Sequence, residues 1–299
     1  MSARLAAVAG AALLATAATP PAGFTLPRGA PVAQFTAACR GKEEWSDPAP
    51  PVKVFGNVYH VGTCGIVVLL IASADGDVLI DSGPADAAPQ VLANIRALGF
   101  APADVKWIVT SHEHLDHVGG LAELKRATGA QLAARAAAKG PLERGTVDWR
   151  DPQAGSIKGF AGVAVDRVLR DGEHLVLGPI DLTAHATPGH APGSTSWSWR
   201  SCEGATCRDL VYADSVSAVS ADAYRFSDHA LYVDAFARSL GKIAILPCEI
   251  LITPHPGASA LHERLAGKQP LVDPEACVRY AEAGQAALEK RIKDEEARK

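Results

Sequence analysis

No basic excess draws this chain toward nucleic acid. Against 33 Asp and Glu stand 29 Lys and Arg, for a formal charge of -4, and without a positive field a polyanion is not recruited. Aromatic residues are scarce at 6%, yet 48% of the 299 residues are hydrophobic and only 21% charged, which excludes disorder for the bulk of the chain. Six cysteines are too few to staple a miniprotein of this length, although their even number leaves room for disulfides. Past the leader, the longest apolar run, 66–72, is strand-sized and far short of the ~20 residues that span a bilayer. A Gly-x-Ser-x-Gly elbow and a P-loop are both missing, so the sequence offers neither of those nucleophile or phosphate devices.

The first residues do carry a pattern of their own. Arg4 precedes an uncharged run of small and apolar residues from Leu5 to Ala18, with Ala15 and Ala17 placed as a cleavage signal. Residues 1–17 are therefore read as a signal peptide, and 18–299 as a single domain that opens with an irregular, proline-rich N-terminal arm over 18–51. A periplasmic or secreted protein is expected, monomeric, without a membrane anchor in its mature form and without a nucleic-acid partner.

After the arm the pattern becomes regular. Strands are expected at 53–61, 65–73 and 77–81, the last two joined at Asp75-Gly76, and a helix at 85–98 closed by Gly99. A buried strand at 106–111 leads to a helix at 118–127. The region 135–160 is expected to hold a helix and a long excursion, a length that favours function. Further strands are read at 163–169, 174–177, 180–187, 195–199, 208–213 and 249–253, with helices at 230–240 and from 274 onward. Strands flanked by helices in both halves imply an α/β protein, a four-layer αββα sandwich.

Ser111-His-Glu-His-Leu-Asp-His117 carries the chemistry. A lone histidine is usually a core or surface residue, and His60, His174 and His262 are read that way. Three imidazoles and a carboxylate crowded at the end of an apolar strand are different, because desolvating them together is unfavourable unless a cation organises them. His112 and His114, two apart on extended backbone, can point the same way. A turn after Leu115 would aim Asp116 and His117 at a second position. Such ligands suit Zn²⁺, which catalytic sites hold with three protein groups and an open place. Two downstream loops supply the missing ligands: His190 in Thr187-Pro-Gly-His-Ala-Pro-Gly-Ser194 and His255 in Thr253-Pro-His-Pro256, each braced by proline. His185, inside a strand, and His229, just before a helix, are poorer competitors.

These residues resemble the His-x-His-x-Asp-His signature of the metallo-β-lactamase superfamily. Thr187 to Trp197, Tyr212-Ala-Asp-Ser-Val-Ser217 and Leu246-Pro-Cys through Ser259 look like subclass B3, over about residues 45 to 280. The resemblance implies the metallo-β-lactamase fold, with one zinc on His112, His114 and His190 and a second on Asp116, His117 and His255. It implies that the β-lactam ring of penicillins, cephalosporins and carbapenems is opened by a zinc-activated hydroxide, oriented by Asp116 as the catalytic carboxylate. Ser215 and Ser217 would bind the substrate carboxylate, and Asp81 would support a ligand imidazole from beneath. In glyoxalase-like and phosphodiesterase-like relatives an aspartate near Asp214 bridges both metals, which keeps open an alternative: hydrolysis of lactones, thioesters or phosphodiesters. Cys248 with Cys277 matches the subclass's pair, Cys202 with Cys207 would close a short hairpin, and Cys39 with Cys64 would pin the arm. The six-cysteine pattern resembles the Adelaide imipenemase type.

Overall fold

The computed structural model describes residues 24–298; the expected signal peptide lies outside them. Two sheets form the centre. The first runs β1 (Val52–Phe55), β2 (Val58–His60), β3 (Leu69–Ile71), β4 (Asp77–Ile80), β5 (Val105–Val109), β6 (Gln131–Arg135) and β7 (Arg167–Leu169) in that spatial order. Strands β1 to β4 are antiparallel, and β4 to β7 are parallel. The second sheet holds β8 (His174–Leu177), β9 (Ile180–Ala186), β10 (Thr195–Glu203), β11 (Thr206–Tyr212) and β12 (Ile250–Ile252), antiparallel except for the parallel pair of β11 and β12.

Alternation along the strands explains the layers. Val58, Leu69, Ile71, Val78, Ile80 and Val109 point inward against Leu182, Trp197, Trp199, Leu210 and Ile250 of the second sheet. Their neighbours Tyr59, Leu70, Leu79, Ile108 and Leu132 point outward, where α2 (Ala88–Ala97), α4 (Leu121–Thr128) and α5 (Ala136–Arg144) cover them. On the other side Val211 and Leu251 are covered by α6 (Ala230–Ala244) and α8 (Ala276–Glu296). Strands covered on both faces read as continuous apolar runs, and the αββα sandwich follows. Three smaller helices complete the set: α1 (Val32–Ala38), α3 (Leu115–Val118) and α7 (Leu261–Leu265).

Three departures from the sequence reading have a plain local cause. The arm is not wholly irregular: α1 buries Phe35, whose ring meets the edges of His60 and His262 at centroid distances of 5.5 and 5.0 Å. Neighbouring prolines hid a helix of under two turns. The expected strand 53–61 is a hairpin, broken at Gly56, whose φ of +54° suits glycine. Strand β6 was not anticipated, since Gln131-Leu-Ala-Ala-Arg135 has no β-branched or aromatic residue. Pairing with β5 and β7 imposes its conformation.

All six cysteines are paired: Cys39–Cys64, Cys202–Cys207 and Cys248–Cys277. The first fastens the arm, the second closes the β10–β11 hairpin, and the third ties the entry of β12 to α8. Among the described residues no helix is long and apolar enough to cross a membrane.

His60 is a core histidine, as expected. Burial lowers its pKa to about 4, although hydrogen bonds to the Thr63 and Val68 carbonyls pull it back upward. The unfolded chain takes up this proton near pH 6.5, whereas the folded chain resists until about 4. Stability from this group is therefore complete above pH 6.5 and is lost as the pH falls toward 4, by up to about 3 kcal/mol. Denaturant unfolding of metal-free protein from pH 7 to 4 is expected to show a shallower acid slope for His60→Asn than for the parent chain.

Candidate metal centre

Strand ends converge on one rim. Asp81 follows β4, Ser111 to His114 follow β5, Asp214 follows β11, and His255 follows β12, while His190 sits in the loop from β9 to β10. Crevices beyond the carboxyl ends of parallel strands are where α/β sheets place their ligands. His114 keeps an extended backbone, and the chain then turns into α3, which presents Asp116 and His117. Gly119 and Gly120 allow that turn to press on the 82–85 backbone, since a Cβ on Gly119 would stand 2.7 Å from the Ala85 nitrogen.

His112, His114 and His190 are buried together, each offering a donor atom within 4.8 Å of the others. The donors of His112, Asp116 and His117 meet the same limit. His255 joins from the more open side: its Nε2 lies 3.3 Å from His117 Nε2 and 3.4 Å from Asp116 Oδ2, and His117 Nε2 lies 3.0 Å from that oxygen. His112 thus adjoins both groups. Tetrahedral zinc with ligands at about 2.0–2.1 Å separates them by about 3.3 Å, which the last three spacings match.

Three buried imidazoles are oriented by a hydrogen-bond acceptor on the other nitrogen. His112 Nδ1 meets Asp214 Oδ1 at 2.8 Å, His114 Nε2 meets Asp151 Oδ2 at 2.9 Å, and His190 Nδ1 meets the Ser217 carbonyl at 3.0 Å. His117 Nδ1 faces Asp81 Oδ2 at 3.5 Å. With those nitrogens protonated, the lone pairs of His112 Nε2, His114 Nδ1 and His190 Nε2, the last 3.4 Å from the Gln153 side-chain amide, are available to a metal, the arrangement in which carboxylates support metal-bound histidine. His112 Nε2 is buried without a hydrogen-bonding partner, an unfavourable state that a cation relieves. The donor set therefore fits zinc.

Electrostatics agree. Burial drives His112 well below its ordinary pKa, helped by the neighbouring imidazoles, and takes His190 down to about 3, so both rings are neutral lone-pair donors. Burial opposes ionisation of Asp116, but His117 outweighs it and holds this carboxyl well below its usual range. Burial lowers His117 too, and Asp116 overcomes that to raise it to about 10, so without metal this ring holds a proton that a bound cation displaces. Asp214 and Glu113 are both pushed up to about 7 by burial.

Asp81 sits beneath the site as expected. Its φ of +66° lies in the left-handed region, rare for a non-glycine residue. Ser111 N, Ser111 Oγ and Tyr212 OH all donate to its carboxylate, at 2.6, 2.7 and 2.8 Å. Ser215 and Ser217 line a cleft of about 410 Å³ beside His255, Thr253 and Tyr280, and Ser217 also supports His190. His185 bonds Ser198 instead, and His229 stacks on Tyr224.

Sequence reasoning missed Asp151 and assigned no role to Glu113. Asp151 lies in the excursion already marked by its length, but a single aspartate there carried no signal. One Ser-x-x-Lys spacing does occur, Ser239 to Lys242 on α6. Ser239 Oγ donates to the Pro188 and Ala235 carbonyls and Lys242 pairs with Asp171, so it forms no nucleophile. Replacing Asp151 by Ala should weaken zinc binding by about 10- to 100-fold through loss of the His114 partner, as read by competition with a chromogenic chelator.

Comparison with known proteins places this geometry. The pattern of the metallo-beta-lactamase superfamily matches residues 61–255. The fold superposes on the metallo-β-lactamase MIM-1 from Novosphingobium pentaromativorans with a TM-score of 0.87 and 54% identity, covering 89% of this chain and 99% of that one. MEM-A1, a subclass B3 metallo-β-lactamase isolated from a soil metagenome library, gives 0.83 and 40% identity, over 86% and 100%. Curated relatives include a probable metallo-hydrolase of Burkholderia pseudomallei (strain 1710b), 31% identical over 46% of this chain and 49% of its own. Another is the N-acyl homoserine lactonase AttM of Agrobacterium fabrum (strain C58 / ATCC 33970), 36% identical over 34% and 39%. The chain thus spans half or less of the length of these curated relatives. With its histidine cluster, its fold and its near-complete overlap with the solved enzymes, the chain belongs to the metallo-β-lactamase superfamily and, within it, to the zinc-dependent subclass B3 metallo-β-lactamases.

Proposed function

We propose that this protein is an exported zinc hydrolase that opens the β-lactam ring of penicillins, cephalosporins and carbapenems and so confers antibiotic resistance. The observation that carries the reading is the pair of adjoining donor groups, His112, His114 and His190 beside Asp116, His117 and His255, on a subclass B3 fold. Bound zinc supplies Lewis acidity and lowers the pKa of water to roughly 7.

The protein's own groups divide the remaining work. Asp116, between His117 and His255, accepts a hydrogen bond from the attacking water and fixes its approach to the lactam carbonyl. Ser215 and Ser217, on the cleft wall, hydrogen-bond the substrate carboxylate. Asp214, Asp151, Asp81 and the Ser217 carbonyl hold the four buried imidazoles in register, so little reorganisation accompanies reaction.

The lactonase-like alternative would need Asp214 between the two donor groups. Its carboxylate instead hydrogen-bonds Nδ1 of His112, the nitrogen opposite the free Nε2, which favours β-lactam hydrolysis. Export, with cleavage near residue 17 leaving 18–299 as a monomeric single domain, is part of this reading; its oxidising destination is supported by the three disulfides, which persist in such compartments.

Purified protein is expected to turn over a carbapenem and a chromogenic cephalosporin, to lose at least about 100-fold of that rate to a chelator, and to regain it with zinc. His255→Ala should lower the rate steeply at limiting zinc. Zinc-replete protein inert toward every β-lactam, or turning over lactones preferentially, would overturn the reading.

A further inference from the structure

Between the two ligating histidines stands a third side chain that the proposed chemistry does not use. Glu113 is fully buried, and its Oε1 accepts the backbone N–H of Gly193 at 2.8 Å. Gly193 closes the loop that carries His190. A Cβ there would stand 2.2 Å from Glu113 Oε2 and 2.7 Å from the Ala138 Cβ, so this contact requires glycine.

Arg135, at the end of β6, completes a clamp on the same loop. Its guanidinium donates to the Ser194 carbonyl at 3.0 Å, to the Pro192 carbonyl at 3.4 Å and to Thr195 Oγ1 at 3.1 Å. Two more bonds continue the seam between the sheets: Thr195 N to the Ser111 carbonyl at 2.7 Å and Trp197 Nε1 to the Thr110 carbonyl at 3.0 Å. Within it, Glu113 is the side chain that joins the 112–114 segment directly to the 187–194 loop. His190 has two supports, Ser217 on its ring and this clamp on its backbone.

We infer that Glu113, with Arg135, is a positioning residue that sets the distance of His190 from His112 and His114, and thereby the affinity of the zinc ion those three residues share. The inference rests on the proposal that His112, His114 and His190 hold one ion. Proline on both sides stiffens the loop internally, but only its attachment fixes it as a body against the other sheet. Losing that attachment frees His190 to move relative to His112 and His114, while the donors of Asp116, His117 and His255 stay anchored on α3 and after β12.

The test is a zinc competition titration against a chromogenic chelator on the intact protein, with His190→Ala, Glu113→Ala, Glu113→Asp and Glu113→Gln. Circular dichroism of each metal-free variant checks the fold. His190→Ala should weaken one of two zinc ions; if it weakens neither, the assignment of His190 as a ligand fails, and this inference with it. Given that loss, Glu113→Ala and Glu113→Asp should weaken one ion by roughly 10- to 100-fold and leave the other unchanged. The aspartate variant keeps the charge but cannot reach Gly193, and it decides the matter where the alanine variant does not fold. Glu113→Gln retains an acceptor oxygen at the same reach and should stay within about threefold of the parent. At saturating zinc, kcat and KM of the alanine and aspartate variants should return toward parental values. Folded Glu113→Asp protein with parental affinity for both ions, an equal loss from both ions, or a glutamine variant as weak as the aspartate one would overturn the clamp and leave the ligand assignment intact.

Discussion

A buried imidazole can serve as a ligand only if one nitrogen keeps a free lone pair aimed inward, and this requires the other to be occupied from behind. In this protein four acceptors from three parts of the chain stand behind the imidazoles. Asp214 follows β11, Asp151 lies in the excursion after α5, Asp81 follows β4, and the Ser217 carbonyl lies in the loop after β11. Three are buried carboxylates, costly to desolvate alone. They become tolerable because they face imidazole N–H groups or backbone and hydroxyl donors, and because the cluster as a whole is built around a cation. The site is thus a balance of charges that neither the ligands nor their supports could strike alone.

That balance dictates what the fold must do. Supports and ligands come from both sheets, so the sheets must be held in register at one rim. The interior of the sandwich supplies bulk cohesion through Trp197, Tyr212, Leu69 and Ile80, but apolar packing is weakly directional. Direction comes from the polar seam: Tyr212 OH on the Asp81 carboxylate and the Val67 carbonyl, Trp197 Nε1 on Thr110, Thr195 N on Ser111, and Glu113 on Gly193. Two of these donors are large aromatic side chains whose rings pack between the sheets while their polar tips reach the rim. The disulfides act elsewhere, on the arm, on a hairpin tip and on α8, where apolar cover is thinner.

The proposed ligands stand out in the sequence because four of six fall within six residues, and strand alternation makes their spacing meaningful without any tertiary knowledge. His190 and His255 were legible for a related reason, standing in proline-braced loops at strand ends. The layered fold was equally readable, since strands buried on both faces leave long apolar runs. What did not show were the partners behind the ligands. Asp151 is 37 residues from His114 and Asp214 is 102 from His112, and an isolated aspartate in a loop looks like any turn residue. Glu113 was hidden by its position, because the residue between two ligands reads as a spacer. Strand β6 escaped for a different reason: its alanines fit a buried strand but have little preference for one, so only the neighbours β5 and β7 define it.

Asp214 shows why a residue's type and place in the chain do not fix its task. A carboxylate at this rim could reach into the space between the two donor groups or stand behind one ligand, and the two outcomes imply different chemistry. Its direction here follows from its surroundings. Ser196 Oγ receives its backbone N–H at 3.0 Å, Tyr280 OH donates to its carbonyl at 3.0 Å, and the next residue, Ser215, turns to the cleft wall. With the main chain held from both sides, the side chain meets His112 Nδ1. Under the proposed function, substrate contact falls to the hydroxyls that follow, Ser215 and Ser217 on the cleft wall. The same short stretch from Tyr212 to Ser217 therefore steadies Asp81, turns His112, lines the cleft and supports His190, so a change at any one of these positions is felt by the others.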